Sequence, residues 1–420
     1  MIVKTVIRPK TEMKNSGIEY IGKIPNDWEV RKVGYLVAKI TDYVASGSFA
    51  TLAQNVQYLD EPDYARLIRT VDLSGSVNKQ PVYVSKEAYK FLSNSNLFGG
   101  ELILPNIGSV GCVYQYKKIY EHATLAPNSI LLDMKENNRF YFYWFSNPIV
   151  GESLKILGNS TVQVKFNKSQ LRQYMLPRPP LSEQQAIADY LDETCSKIDE
   201  IIAEAKASID EYKELKQSVI FEAVTKGLDK NVEMKGSGSY WIGDIPLTWS
   251  TIKTKYVIKI ENGSDPSTEG DTPVYGSGAN SFKTCGEYKV GPTVLLGRKG
   301  ATLHIPHYIE GKYWNVDTAF NTTSIEKRIN LKYFYYVAFC FDYNRYISQT
   351  TLPGMTQTSY RNIYIPYPPM NVQNRIVLWL DNKIDELDSL ITEKESLIKD
   401  LESYKKSLIY EVVTGKRRVV

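Results

Sequence analysis

The fold is decided by the stretch Ser16-Gly17-Ile18-Glu19-Tyr20-Ile21-Gly22-Lys23-Ile24-Pro25, which is followed by Trp28. The same pattern returns in the second half of the chain as Ser237-Gly238-Ser239-Tyr240-Trp241-Ile242-Gly243-Asp244-Ile245-Pro246, followed by Trp249. A long internal repeat of this kind indicates two copies of one module. The sequence therefore predicts a pseudo-symmetric molecule, suited to a two-fold target or to a pair of identical partners.

A second pair of matching blocks opens two long helical patterns. These blocks are Pro177-Arg178-Pro179-Pro180-Leu181 with Gln184, and Pro366-Tyr367-Pro368-Pro369-Met370 with Gln373. After each block, the residues step alternately by four and three, which is the seam pattern of a coiled coil. The corresponding seam positions are Ile198, Ile202, Ala205, Ile209, Tyr212, Lys216 and Val219, and Leu387, Ile391, Lys394, Ile398, Leu401, Lys405 and Leu408. Because the two helices match in length and register, we predict that they pair with each other; pairing with a second copy of the chain is the alternative.

The remaining chain is punctuated by Gly, Pro and Tyr, which indicates short strands and turns. Predicted strands lie at Tyr64–Val71, Pro81–Val84, Glu101–Leu104, Cys112–Tyr116, Tyr256–Ile260, Thr293–Leu296 and Leu303–Ile305, and predicted aromatic helices at Arg139–Phe145 and Lys332–Phe339. The predicted fold class is α+β, with two mixed α/β modules separated by an antiparallel pair of long helices. The predicted boundaries are 1–180, 181–228, 229–369 and 370–420, and Ser182 and Asn371 are the predicted N-caps of the helices.

Composition restricts the function only weakly. The formal net charge of +4 over 420 residues neither demands nor excludes nucleic acid. The cysteines are single, without a CxxC pair, which argues against a zinc site and a redox motif. No apolar run is long enough for a membrane span, and the N-terminus lacks a signal-peptide pattern, so a cytoplasmic location is expected.

The sequence carries no recognisable catalytic centre. It lacks a GxxxxGK[ST] phosphate loop, a GxGxxG after a strand and the [DN]PP[YF] motif of amino-methyltransferases. His304-Ile305-Pro306-His307 could supply two metal ligands, but no Cys or carboxylate pattern completes the site. We therefore expect no catalytic residue, no metal and no cofactor in this chain.

Candidate DNA-contacting residues of the second module lie in two glycine-containing turns. One is Val294–Ala301, where Arg298 and Lys299 stand between glycines, and the other is Tyr275–Ser281, which contains Ser277 and Asn280. Glycines allow close approach of the backbone, arginine can bond guanine, and lysine can bond phosphate. The alternative is a plain surface turn.

A second group of candidates precedes each Pro-Pro block, where hydroxyl, amide and cationic side chains of the kind that contacts DNA occur together. These candidates are Thr161, Lys165, Asn167 and Lys168 in the first module, and Thr356, Gln357 and Arg361 in the second. The counterpart of the glycine turn in the first module, Asn106–Gly111, has no basic residue. Its cations would come from Lys117-Lys118 or from Arg66 and Arg69.

Together these features resemble the specificity subunit of type I restriction–modification systems, over essentially the whole chain. The residues that carry the resemblance are Ser16–Pro25 with Trp28 and their second copy, Leu176–Gln185, and Leu295–Gly300 with Asp317-Thr318. The second Pro-Pro block departs from the usual Glu-Gln and reads Val372-Gln373, which weakens one expected capping contact.

The resemblance implies two target recognition domains, each of which reads half of a split sequence in double-stranded DNA. It implies that the two helices fix the gap between the halves and dock two modification (methyltransferase) subunits, with restriction (translocase–nuclease) subunits as further partners. S-adenosylmethionine, ATP and Mg would then belong to those partners. The residues assigned to partner binding are Ile198, Ile202, Ile209, Leu387, Ile391 and Ile398.

Three other functions stay open at the level of sequence. One is the specificity subunit of a type II-like fused methylase–nuclease, which co-purified partners would distinguish. Another is a coiled-coil scaffold that binds only proteins, for which salt-sensitive DNA binding would be absent. The third is an enzyme with an unrecognised site, which a methylation assay on the chain alone would test.

Overall fold

A computed structural model of the chain describes residues 5–75, 80–158, 164–278, 280–347 and 353–419. The chain divides into two compact units. Unit 1 consists of Met1–Ala203 with Ile398–Val420, and unit 2 consists of Glu204–Leu397. Each long helix therefore contributes one part to unit 1 and the other part to unit 2. Among the described residues, no helix combines the length and the apolar character that a bilayer span requires.

The helices are the elements that the sequence predicts best. In the described ranges the α-helices are α1 Val33–Leu36, α2 Phe49–Asn55, α3 Thr70–Leu73, α4 Lys86–Phe91, α5 Asn138–Ser146, α6 Pro148–Ile156, α7 Lys168–Gln173, α8 Leu181–Lys226, α9 Leu331–Phe339, α10 Gln357–Asn362 and α11 Met370–Val413. Single 3-10 turns lie at Lys10–Glu12, Tyr43–Ser46, Ser93–Ser95, Thr254–Tyr256, Ile325–Lys327 and Tyr343–Arg345. The long helices α8 and α11 have 46 and 44 residues. The predicted aromatic helices correspond to α5 and α9.

The predicted N-caps of the long helices are wrong by two residues. The backbone N–H groups of Glu183 and Gln184 donate to the carbonyl of Pro180 at 2.9 and 3.0 Å, so α8 begins directly after that proline. Ser182 consequently lies inside the first turn. Asn371 does so in α11, where the N–H of Val372 donates to the carbonyl of Pro369 at 2.9 Å.

Unit 1 contains two four-stranded sheets and shorter ribbons. Its strands before α8 are β1 Thr5–Ile7, β2 Met13–Asn15, β3 Lys23–Pro25, β4 Glu29–Lys32, β5 Val37–Asp42, β6 Ala65–Ile68, β7 Tyr83–Val84, β8 Asn96–Leu97, β9 Leu102–Pro105, β10 Tyr114–Gln115, β11 Ala123–Leu125, β12 Ser129–Met134 and β13 Met175–Arg178. The sheet orders are β10-β9-β12-β5 and β7-β6-β11-β8, and the ribbons are β2-β3 and β13-β4.

Unit 2 repeats this arrangement. Its strands are β14 Met234–Gly236, β15 Asp244–Pro246, β16 Ser250–Lys253, β17 Ile258–Asn262, β18 Thr272–Tyr275, β19 Lys283–Cys285, β20 Lys289–Val290, β21 Thr293–Gly297, β22 His307–Ile309, β23 Lys312–Asn315, β24 Ala319–Ser324 and β25 Tyr364–Tyr367. Its sheets, β17-β24-β21-β22 and β19-β18-β23-β20, match those of unit 1 strand for strand. Among the described strands, the pairing is antiparallel except for one parallel pair in each unit, β6 with β11 and β18 with β23. The last strand, β26 Arg417–Val419, pairs with β1 in unit 1.

One predicted strand, Leu303–Ile305, is wrong. The N–H of Leu303 donates to the carbonyl of Gly300 at 3.3 Å, and the N–H of Ile305 donates to that of Thr302 at 3.0 Å. These local turn bonds use the groups that a strand would need for its ladder. The apolar run is therefore a turn that packs Leu303 into the core of unit 2.

The helix seam is confirmed in each unit separately. In unit 1, Lys405 Nζ donates to Asp199 Oδ1 at 2.6 Å, and Leu191 shares the core with Val412. In unit 2, Lys216 Nζ donates to Asp388 Oδ1 at 2.7 Å, and Ile220 shares the core with Leu380. In both units the contacts run in opposite directions along α8 and α11, so the two helices are antiparallel.

The repeated Pro-Pro blocks fix the first turn of α8 within unit 1 and the first turn of α11 within unit 2. Gln184 and Gln373 are buried, and each Nε2 donates at 2.9 Å to a carbonyl in the preceding turn, Pro179 in unit 1 and Pro368 in unit 2. A buried carbonyl needs a hydrogen-bond donor, and the glutamine amide supplies one at both positions.

Glu183 acts differently from the capping contact expected of it. Its carboxylate accepts a hydrogen bond from Trp28 Nε1 at 2.8 Å and an ion pair from Arg8. Val372, which takes the same place in the second block, instead packs against the core of unit 2. Replacing glutamate by valine at this position therefore exchanges a polar anchor for an apolar one.

We expect Gly415→Ala to destabilise unit 1. Gly415 has φ +70°, and an added Cβ would lie 2.4 Å from Pro25 Cδ and 3.0 Å from Trp28 Cζ2. Left-handed strain of about 1–2 kcal/mol would add to overpacking of about 1–3 kcal/mol, measured by chemical denaturation. Gly22→Ala is the matched control, because Gly22 has φ +73° but no heavy atom within 4 Å of the added Cβ. Equal losses in the two variants would contradict the steric part of this prediction.

Candidate nucleic-acid interface

In unit 2, the fold brings together two stretches that the sequence analysis selected independently. The N–H of Arg298 donates to the carbonyl of Thr318 at 2.8 Å, and the carbonyl of Arg298 accepts from the N–H of Met355 at 2.9 Å. Lys299 and Gly354 form a β-bridge. The basic turn after β21 and the segment before α10 therefore form one edge, which we call the unit 2 edge.

Arg298 is held in a defined position on this edge. Its NH1 donates to the carbonyl of Asp317 at 3.2 Å, and its guanidinium lies over the ring of Phe320 at 5.9 Å from the centroid. Within the described part of the chain its other guanidinium nitrogens have no hydrogen-bond partner, and the neighbouring Lys299 is exposed. A partly fixed guanidinium with free N–H groups suits recognition of a base edge.

The second glycine turn lies against the same edge. An added Cβ at Gly300 would lie 3.2 Å from Ser277 Oγ, and one at Gly276 would lie 2.8 Å from Thr318 Oγ1. Burial lowers the pKa of His307, and the nearby backbone of Ser277 opposes this effect. Asn280 is exposed beyond it. Ser277 therefore belongs to the unit 2 edge.

The candidates around α10 have distinct surroundings. Thr356 is the N-cap of α10, and its hydroxyl accepts from the N–H of Ser359 at 3.0 Å. Gln357 Nε2 donates to Asn262 Oδ1 at 2.9 Å, whereas Arg361 is exposed in the last turn of α10. A buried hydrogen bond at 2.7 Å from Tyr360 Oη to the carbonyl of Gly297 fixes α10 to the end of β21. Thr356 thus has a capping role, and its contact with DNA stays a prediction.

Unit 1 builds the same edge from different residues. The carbonyl of Asn106 accepts from the N–H of Phe166 at 3.2 Å, and Ile107 forms a β-bridge with Lys165. These contacts correspond to those of Arg298 with Met355 and of Lys299 with Gly354. The turn Asn106–Gly108 and the segment before α7 therefore form the unit 1 edge.

Of the predicted residues on the unit 1 edge, Lys165 is exposed, and Thr161 lies outside the described residues. Asn167 caps α7 by accepting from the N–H of Gln170 at 2.9 Å. Lys168 is not a free cation as the sequence suggested, because its Nζ lies 2.7 Å from Asp42 Oδ1. A paired lysine attracts phosphate less strongly than a free one, so phosphate contact by Lys168 is disfavoured.

Arg69 is also paired. Its guanidinium donates to both carboxylate oxygens of Asp72 at 3.0 and 2.8 Å and to the carbonyl of Gln80 at 2.7 Å. Burial of Asp72 opposes ionisation, but the hydrogen bonds from Arg69 and the charge of Arg66 lower its pKa overall. Arg66 is buried, and its NH2 lies 3.0 Å from Asp72 Oδ1, so the structure corrects the expectation that Arg66 and Arg69 are available cations. Lys117, in contrast, is exposed and has no ion-pair partner among the described residues.

The seam residues assigned to partner binding require a correction. Ile198, Ile202, Ile209 and Leu387 are only 5, 8, 7 and 2% exposed, and Ile391 and Ile398 are partly buried. A partner could reach the four buried side chains only if the helices separated, whereas Ile391 and Ile398 remain partly accessible. Contacts with modification subunits would have to use the outer faces of the helices.

Sequence reasoning missed Asp42 and Asn262, the partners of Lys168 and Gln357. Each is the last residue of its strand, β5 or β17, and a polar residue at the end of a strand is a weak signal. Only the strand register shows that the two occupy equivalent places.

The comparisons with known proteins agree with this architecture. The family model described as type I restriction modification DNA specificity domain matches residues 25–211 and 246–400, once in each half of the chain. These matches cover most of the sequence, so the chain belongs to this family.

Relatives and solved structures extend this result. The chain is 25% identical to the MjaX type I restriction enzyme specificity subunit of Methanocaldococcus jannaschii, over 95% of this chain and 96% of that protein. A match of 24% identity to the MjaVIII specificity subunit of the same organism covers 57% of this chain and 51% of that protein.

The fold is similar to that of a chain in a structure of a type I R-M system, with a TM-score of 0.71 at 13% identity, covering 94% of this chain and 99% of that chain. The HsdS subunit from Thermoanaerobacter tengcongensis gives a TM-score of 0.54 at 14% identity, covering 94% of this chain and 98% of that one.

Proposed function

We propose that this chain recognises a two-part target in double-stranded DNA, with unit 1 reading one half and unit 2 reading the other. The observation that carries the proposal is the repeated edge, in which the same backbone contacts join the turn Asn106–Gly108 to the segment before α7 in unit 1 and the turn with Arg298 and Lys299 to the segment before α10 in unit 2. A shared frame with different side chains is what two unlike half-sites require, because sequence is read by donors and acceptors on the base edges.

The chain acts in this proposal as a recognition subunit without catalytic residues. It directs two modification subunits, and with them restriction subunits, to the site. The partners supply S-adenosylmethionine, ATP and Mg. Because the substrate is chromosomal DNA, the complex is expected in the cytoplasm. The family and the relatives' names support this assignment. To test whether the chain has catalytic activity of its own, it is incubated alone with S-adenosylmethionine and DNA, and we expect no methyl transfer.

The decisive experiment maps the modified sites. The chain is co-expressed with its modification subunits, and modified positions are sequenced in the presence and absence of this chain. We expect one motif that has two specified half-sites around an unspecified gap. The logarithm of the binding constant for that duplex should fall linearly with the logarithm of the salt concentration, with a slope of about −0.9 for each phosphate contact. A single contiguous motif, or binding that is insensitive to salt, would contradict the proposal.

A further inference from the structure

The two edges carry a side-chain pair at the same place, and its chemistry differs between the units. In unit 1, Ile130 of β12 pairs with Asp42 on one side and Leu104 on the other. In unit 2, Phe320 of β24 pairs with Asn262 and Leu296 in the same way. The register therefore makes Asp42 equivalent to Asn262.

The other member of the pair is equivalent too. Phe166 and Met355 make the same backbone hydrogen bond to their recognition turns, and Lys168 and Gln357 follow each of them by two residues. Lys168 Nζ donates to Asp42 Oδ1 at 2.7 Å. In unit 2, Gln357 Nε2 donates to Asn262 Oδ1 at 2.9 Å. One structural position thus holds an ion pair in unit 1 and an amide pair in unit 2.

The two positions directly before Lys168 and Gln357 keep their structural role in both units, unlike this pair. Phe166 and Met355 are both buried and apolar. Asn167 and Thr356 both cap the short helix that follows. Where a position serves only the fold, the two units thus use similar residues, whereas here the contact persists and the class of side chain changes.

Each pair carries no net charge and is accessible to solvent. The side chains of Lys168 and Asp42 are 30 and 15% exposed, Asn262 is exposed and Gln357 is partly exposed. A neutral pair is poorly suited to a phosphate, whose recognition depends on net positive charge. It is suited to a base edge in the major groove, which presents neutral donors and acceptors.

The two pairs match different base pairs. A lysine donor complements the O6 and N7 acceptors of guanine, and an aspartate oxygen can accept from the N4 amino group of cytosine. Asn and Gln amides complement the N6 donor and N7 acceptor of adenine. The ion pair of unit 1 therefore fits G·C, and the amide pair of unit 2 fits A·T.

We propose that the pairs Asp42–Lys168 and Asn262–Gln357 determine base specificity, selecting G·C in the half-site of unit 1 and A·T in that of unit 2. This inference rests on the proposed function, since it assigns a target to the edges. The competing role is a latch that merely holds α7 or α10 against the end of the neighbouring strand.

Exchanging the pairs separates the two roles, because each exchanged pair can still bond to itself and keeps its net charge. The first variant is Asp42→Asn with Lys168→Gln, and the second is Asn262→Asp with Gln357→Lys. Each full chain, in complex with its modification subunits, is used to select bound duplexes from a library randomised in both half-sites. The matched control for unit 1 is Glu193→Gln with Lys197→Gln, which replaces an exposed ion pair of 2.6 Å on α8.

The first variant is expected to lose preference for G·C by about 5- to 150-fold at one position in one half-site, with the other half-site unchanged. The second should show the converse loss for A·T, and the control should keep both preferences. If both exchanged variants keep the base preferences of the wild type, the pairs only hold α7 and α10 in place, and the inference is overturned. If the first variant does not assemble or binds no duplex, the second variant alone decides between the two roles: loss of the A·T preference supports the inference, and an unchanged preference overturns it.

The wild-type complex distinguishes the two levels of failure. If it selects no two-part site, then the proposed function itself is wrong. If it selects a two-part site that the exchanges leave unaltered, only the assignment of these pairs is wrong.

Discussion

Replacing Arg298 with Ala is expected to relax recognition in the half-site that unit 2 reads and to leave the other half-site intact. Its guanidinium is held by the carbonyl of Asp317 and the ring of Phe320, with further N–H groups free among the described residues. Loss of one bidentate arginine–guanine contact removes about 1–3 kcal/mol of discrimination. The measurement is base preference at each position of a randomised duplex library, bound by the complex with modification subunits.

Two further variants of unit 2 make this result specific. Arg298→Lys keeps the charge but loses the planar fork, so base preference should fall while the dependence of binding on salt is retained. Arg328→Ala removes an arginine whose NH2 lies 2.6 Å from Glu326, and both half-sites should then be read normally. Equal loss of preference in both half-sites on Arg298→Ala would contradict the assignment of Arg298 to one of them.

Replacing Trp28 with Ala is expected to give the largest loss of stability. The side chain is fully buried, packs edge-on against Phe140 at 6.3 Å and donates to Glu183 Oε2 at 2.8 Å. Removing a buried tryptophan costs about 3–5 kcal/mol, and the carboxylate of Glu183 also loses a donor. Hydrogen exchange resolved by peptide should show faster exchange throughout the core of unit 1.

The controls for Trp28 test whether the loss of stability depends on the burial of the tryptophan and on how much of the side chain is removed. Trp379, on α11, is 42% exposed, so Trp379→Ala should change the free energy of unfolding by only about 0.5 kcal/mol. Trp28→Phe keeps much of the apolar contact but loses the hydrogen bond, and an intermediate loss is expected. If Trp28→Ala accelerated exchange no more than Trp379→Ala, Trp28 would not be the anchor of α8.

Sequence patterns predicted the helices well, because helical periodicity depends on residues that are close together in the chain. The residues that alternate by four and three stand on one face of a helix, so they predicted α8 and α11 and their seam. The prediction of a strand at Leu303–Ile305 was wrong, because turn hydrogen bonds to the carbonyls of Gly300 and Thr302 outweigh strand propensity there. The N-cap errors arose because α8 and α11 begin directly after Pro180 and Pro369, so that a proline stands at the N-cap where a polar side chain was expected.

The candidate interface was predictable in part. The basic turn at Arg298 and the segment at Gln357 each stood out by composition, and the structure joins them. The same reasoning treated Lys168 and Arg69 as free cations, because a sequence does not show which carboxylate lies beside a lysine or arginine. The seam isoleucines were assigned to a partner for the same reason, although burial within the chain occupies them.

The sequence by itself determined the duplication, the two long helices and the family to which the chain belongs. A repeat is found by comparing two stretches of sequence, and helical periodicity depends on residues close together in the chain. The tertiary structure alone decided that Asp42 meets Lys168 and that Asn262 meets Gln357, across 126 and 95 residues of chain. These contacts follow from the register of β5 with β12 and of β17 with β24. Strand register is set by nonlocal packing and hydrogen bonding, which a linear pattern does not record.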